Sequence, residues 1–232
     1  MLMVNQEITN RKNTFFKDLS STRNDMEWLI HKHLIRTPAY IFLDNQDKEQ
    51  KLAEILKNYF NINYKDFIIV GSAQLGFSLN PQKNYRDFNE SSDIDIAIIN
   101  QNLFIELKQE LYNFTDGLNN CWKGTHFHSN PKEYTFLDNN FTPPKKYVIH
   151  ENQFKYYKYL SQGWFRADFK PNEFEICRNN KKFSDFNKEI KKVFSRKIGL
   201  AIYENWFFFL DYQSRNLTKL KLKTEVEPNV AN

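Results

Sequence analysis

Residues 71 to 99 constrain this chain more than any other stretch. An apolar run, Phe67-Ile68-Ile69-Val70, leads directly into Gly71-Ser72. A second run, Ser92-Asp93-Ile94-Asp95-Ile96-Ala97-Ile98-Ile99, carries two aspartates separated by one isoleucine. Residues i and i+2 of a strand point to the same face, so Asp93 and Asp95 are expected to project together while Ile94 and Ile96 face a core. Two neighbouring carboxylates repel unless positive charge lies between them. Hard oxygen donors suit a divalent cation such as Mg²⁺. A glycine turn that opens a helix presents backbone N–H groups to phosphate. These parts point to a site for a metal-bound nucleoside triphosphate.

The arrangement of strand, Gly71-Ser72, a helical turn around 73–79 and then Asp93-Ile94-Asp95 on the next strand resembles the nucleotidyltransferase superfamily of the DNA polymerase β type. The resemblance covers about 30 residues directly, and it rests on residue type, order and strand context together. The link between Gly71 and Asp93 is longer than most members show. Its extra residues, roughly 81–91, are polar and read as an inserted surface loop.

The resemblance implies an α/β (α+β) fold, with a small mixed sheet that carries the carboxylates, flanking helices and a helical C-terminal part. It implies transfer of a nucleoside monophosphate from an NTP or dNTP, ATP among them, to a hydroxyl, with release of pyrophosphate. Mg²⁺ or Mn²⁺ would be held by Asp93, Asp95 and a third carboxylate on a neighbouring strand. Asp168 is the candidate for that third position, because it sits in the strand-like run Gly163–Phe169, flanked by Ala167 and Phe169. Asp138, Glu173 and Glu175 are weaker substitutes. Gly71 and Ser72 would hold the triphosphate; Gln74 and Ser78 are more distant candidates. Lys191, Lys192, Arg196 and Lys197 form a basic stretch that could reach the phosphates, although each residue alone reads as solvated helix surface.

The distance from Asp95 to Asp168 is similar to that in the bacterial cGAS-like and oligoadenylate-synthase-like branch. That branch makes nucleotide or oligonucleotide signals in antiphage defence and works with effector partner proteins. At 232 residues the chain is short for it. Two alternatives stand beside this reading. One is a toxin–antitoxin nucleotidyltransferase that modifies tRNA or a partner protein. The other is a non-catalytic nucleic-acid-binding module with the same fold.

Composition sets the frame. The chain is 41% hydrophobic and 16% aromatic, with 22 phenylalanines and 12 tyrosines, so aromatic side chains must build much of a folded core. A net charge of +5 suits an anionic partner. No apolar run is long enough to cross a bilayer, and no basic segment followed by an apolar stretch opens the chain; a cytoplasmic protein without membrane insertion is expected. Cys121 and Cys177 suggest no disulfide framework. Cys121, His126 and His128, with His150 or Cys177, could ligate zinc, but their spacing matches no standard zinc module and they read rather as scattered polar residues.

Along the chain, 1–22 reads as a polar and partly mobile start. Helices are expected where Met26, Leu29, Ile30, His33 and Leu34 recur, from Asp47 as cap to Phe60, and over Leu103–Leu111. Residues 116–153 read as loop-rich, and Phe174–Cys177 as a further strand. Residues 184–220 read as helical, with Ile190, Phe194, Ile198, Ile202, Trp206 and Phe209 on one face. Phe154–Tyr159 interleaves bases with aromatics, and Trp206–Leu210 reads as core or an oligomer contact. No site is read at His31-Lys32-His33. The resulting organisation is a nucleotidyltransferase core with N-terminal helices over 1–182, a helical segment packed on it over 183–223, and a tail over 224–232.

Overall fold

The structure, a computed structural model, describes residues 2–21, 25–117, 119, 134–135, 146–147, 159–166 and 182–226. Helix α1 (Leu2–Ser21) occupies the stretch expected to be a mobile start. Its apolar face is thin, but Ile8, Phe15 and Leu19 are spaced to share one side and all three are buried. Helix α2 (Met26–Ile30) is capped by Asp25, whose carboxylate accepts from Trp28 N, and continues into a π-helical turn over His31–Arg36. Helix α3 (Gln46–Phe60) is capped by Asn45, not by Asp47: the Asn45 Oδ1 accepts from Lys48 N at 3.1 Å. It ends, as expected, at Asn61, which takes the left-handed conformation at φ 52°.

Strand β1 (Phe67–Val70) runs into the short helix α4 (Gly71–Leu75), which stops at Gly76 with φ 90°. Strand β2 (Ile94–Ile99) is followed by α5 (Gln101–Phe114), capped by Asn100. Strands β3 (Tyr134–Thr135) and β4 (Lys146–Tyr147) form a separate antiparallel pair. The order is completed by β5 (Trp164–Arg166), α6 (Lys182–Phe194), β6 (Ile198–Tyr203) and α7 (Trp206–Val226).

The expectation of continuous helix over 184–220 is therefore corrected: β6 interrupts it, and it lies inside the sheet. Ile198 and Ile202 are four apart, and that spacing keeps one face in a strand as well as in a helix. Ser195, with φ 52°, ends α6 just before the strand begins.

The main sheet is mixed, in the order β1-β2-β6-β5. β1 and β5 run antiparallel to their neighbours, and β2 and β6 run parallel. One face presents Phe67, Ile69, Ile94, Ile96, Ile98, Phe165, Leu200 and Ile202 to a core built with α3, α5 and α6. The other presents Ala97, Ile99, Trp164 and Tyr203 to α1, α2 and α7. The molecule is thus α+β, with helices on both faces of a four-stranded sheet. Six phenylalanines are among its largest fully buried side chains, which bears out the aromatic core. At the start of α7, Phe209 is buried, while Trp206 and Phe207 are 40% and 69% exposed. No helix among the described residues is long and apolar enough to cross a membrane.

Candidate active site

The hairpin of β1 and β2 builds the site. Its register places Val70 opposite Asp95, so the end of β1 and the turn at Gly71 lie beside that carboxylate. Asp95 is exposed on the second residue of β2, between the buried Ile94 and Ile96. Asp93 stands one residue before the strand and is also exposed. Gly71 has φ 67°, a conformation that costs an L side chain roughly 1–2 kcal/mol. A Cβ there would also stand 2.9 Å from Asp95 Oδ2. Gly71 is thus needed for the turn and for the approach of Asp95. Ser72 follows in the first turn of α4, half-buried; no side chain at Val70 caps the open N–H groups of that turn.

On the far side of β2, parallel pairing sets Gly199 of β6 opposite Asp95. A Cβ at Gly199 would overlap Asp95 Oδ1. The carboxylate therefore lies across the bare backbone of two glycines, Gly71 just after the end of β1 and Gly199 on β6.

The polar insert is tied back onto the fold. Phe77 bridges to Asp87, Ser78 N donates to Arg86 O at 2.9 Å, and Phe88 N donates to Gly76 O at 2.8 Å. The segment entering Asp93 is braced by Arg196. Its guanidinium donates to Asn89 O and to Ser92 O, the latter at 3.1 Å, and lies 4.9 Å from the centre of the Phe88 ring. Ile94 N donates to Lys197 O at 2.9 Å, which joins the start of β2 to the same turn.

Asp93 and Asp95 open onto a cleft of about 580 Å³ whose wall includes Arg166, Lys191, Arg196 and Lys197. Two carboxylates and four basic residues thus line one cleft, and such a composition complements a polyphosphate chain carrying a metal ion. Close by, burial first, then Tyr212 and Asp95, push the Tyr203 hydroxyl far above its ordinary range, so Tyr203 stays neutral.

Of the expected site residues, the structure brings together Asp93, Asp95 and Gly71, with Ser72 next in the chain. Lys191, Arg196 and Lys197 of the basic stretch join them, whereas Lys192 does not line the cleft. Gln74 acts as a strut within the fold. It is buried, and its Nε2 donates to Thr37 O at 2.7 Å and to His33 O at 3.2 Å. Ser78 Oγ accepts from Asn80 N and organises the insert.

Asp168 lies outside the described residues, two positions beyond Arg166, the last residue of β5. Asp138, Glu173, Glu175, Cys121, His126, His128, His150, Cys177 and the run 154–158 also lie outside them. Among the described residues no group of three His, Cys, Asp or Glu side chains is placed to hold a metal. The donors that suit one are the oxygens of Asp93 and Asp95, hard ligands for Mg²⁺ or Mn²⁺.

Sequence reasoning missed Arg166 and Gly199. Arg166 sits in the same strand-like run as Asp168 and was open to notice. Gly199 was hidden because its strand read as helix. Comparison with family models, with curated proteins and with solved structures finds no match.

Proposed function

We propose that this chain is a metal-dependent nucleotidyltransferase with a polymerase β-like core. It would transfer a nucleoside monophosphate from an NTP or dNTP to a hydroxyl and release pyrophosphate. The observation that carries the reading is the shared cleft: Asp93 and Asp95, with Asp95 beside the Gly71 turn, line it together with Arg166, Lys191 and Lys197.

Each group has a role in this reading. Asp93 and Asp95 hold Mg²⁺ or Mn²⁺, with Asp168 as the third carboxylate. Metal held by these carboxylates would neutralise charge on the leaving pyrophosphate and lower the pKa of the acceptor hydroxyl. The N–H groups of Gly71 and Ser72 and the Ser72 hydroxyl bind phosphate oxygens. Lys191, Lys197 and Arg166 take the remaining phosphate charge. Arg196 is committed to the Asn89 and Ser92 carbonyls and holds the entry to Asp93 in place. The protein thus contributes mainly position and preorganised charge.

The product in this reading is a nucleotide or oligonucleotide signal of bacterial antiphage defence, made in the cytoplasm and read by an effector partner. The test is pyrophosphate release by purified protein with each NTP and dNTP plus Mg²⁺ or Mn²⁺, with products weighed by mass spectrometry. Release that requires metal and disappears in Asp93→Ala and Asp95→Ala is expected. Small soluble products made without a macromolecule would identify a signal synthase. Label transferred to tRNA or protein would favour the modifier reading. Turnover unchanged in Asp93→Ala would overturn the site, and no turnover with any nucleotide or acceptor would leave a binding module.

A further inference from the structure

We infer that Gly199 is a positioning residue for Asp95, present so that the Asp95 carboxylate can lie against the backbone of β6. The inference rests on the reading of Asp95 as a metal ligand, but its geometry stands apart from that reading.

Gly199 occupies the second position of a six-residue strand inside the sheet, between Ile198 and Leu200. Glycine weakens a strand there, because it costs more backbone entropy and offers no side chain to pack. Gly71, Gly76, Gly117 and Gly163 all have positive φ; Gly199 does not. The backbone at 199 therefore accepts any L residue. What a side chain there would meet is a single neighbour, Asp95, at Oδ1 first and then at the carboxyl carbon 3.5 Å away, so the carboxylate would have to turn aside.

On the other side, Gly71 leaves the matching space at Oδ2. Asp95 is thus seated between two glycines brought together by pairing of β1, β2 and β6. A methyl group at 199 would displace this carboxylate without touching Asp93. The two aspartates would then no longer present their oxygens to the same cation.

The experiment is a melting cycle on four full-length proteins: wild type, Gly199→Ala, Asp95→Ala and the double variant. Alanine at 199 is expected to lower the melting temperature when Asp95 is present, and to leave it unchanged or raise it when residue 95 is alanine. Should Gly199→Ala fail to fold, recovery of a cooperative melt in the double variant carries the same meaning. Equal loss in both backgrounds, or failure of both variants to fold, would overturn the inference.

A Mn²⁺ titration followed by electron paramagnetic resonance supplies the second readout. Gly199→Ala is expected to weaken Mn²⁺ binding at least tenfold, and unchanged affinity would count against a role in positioning the ligand. Wild-type protein that binds no Mn²⁺ would remove the metal reading alone, while the melting cycle would still decide whether Gly199 seats Asp95.

Discussion

At the residue scale, the environment of each polar side chain separates candidate site groups from struts. Gln74 and Ser72 lie two positions apart in one short helix. Gln74 spends its amide on two backbone carbonyls, while Ser72 stays at the open start of the turn. Arg196 resembles Lys191 and Lys197 in charge but differs in its bonds. Replacing Arg196 by alanine removes two carbonyl partners and a ring contact from the segment that enters Asp93. We expect turnover to fall more than tenfold, with a lower melting temperature. Lys191→Ala should instead weaken nucleotide binding, seen as a raised KM, and leave the melting temperature within about a degree, as is usual for exposed positions. Equal melting temperatures for Arg196→Ala and wild type would contradict the brace. Gly71→Ala carries its own penalty, about 1–2 kcal/mol from the positive φ, and thermal denaturation would register it even without an activity assay.

At the scale of elements, α1 is held to the α2–π segment by one carboxylate. Asp18 Oδ2 accepts from Lys32 Nζ at 2.6 Å and pairs with His33 Nε2 at 2.7 Å. The π-helical turn sends neighbouring histidines to different surroundings: His33 is buried against Phe15, and His31 is only half-buried. Burial lowers the His33 pKa below 6.5, and the Asp18 bond offsets this only in part. For Asp18, burial pushes upward, but the bonds and charges of Lys32 and His33 outweigh it and hold the carboxyl below 3.8.

Both groups bind protons more readily in the unfolded chain than in the native state. The stability they contribute is present above the unfolded values and is lost as pH falls through them towards the native ones. The melting temperature should therefore drop as pH is lowered from 7 to 5, by less in His33→Gln, and fall again near pH 4. A flat profile between pH 7 and 5 would rule out the neutral, buried His33. At the next helix, Asn45→Ala should cost about 1 kcal/mol through loss of the α3 cap, whereas Asp47→Ala should not; denaturant unfolding separates the two.

At the scale of the molecule, β6 decides how the chain is divided. It lies between β2 and β5, so a boundary at residue 182 cuts through one sheet. A chain ending at 182 would expose the inner edge of β2 and lose α6, whose Phe183, Phe186 and Ile190 fill one face of the core. We expect that truncation to show no cooperative melt; a folded, monomeric 1–182 fragment would refute the shared sheet.

The motif strands were legible because their signals are short-range: alternation in 94–99 and a glycine after an apolar run; the end of α3 at Asn61 was legible in the same way, whereas its cap at Asn45 was not. The first helix was not, since Ile8, Phe15 and Leu19 are a sparse stripe in a polar stretch, and what holds it is tertiary: burial of that stripe and the bonds of Asp18 to Lys32 and His33. The final strand was not, because residues spaced by four satisfy both periods.

By itself the sequence determined the β1–Gly71–β2 unit, the paired aspartates, the aromatic core and the places of α2, α3 and α5, all of which follow from periodicity and turn chemistry among near neighbours. Only the tertiary structure decided that β6 pairs with β2. That pairing sets Gly199 against Asp95, brings Lys191 and Lys197 to the cleft that Asp93 and Asp95 line, and bonds Arg196 across the entry loop. Strand order joins residues about a hundred positions apart, and its energy comes from edge pairing and face burial that no local pattern encodes.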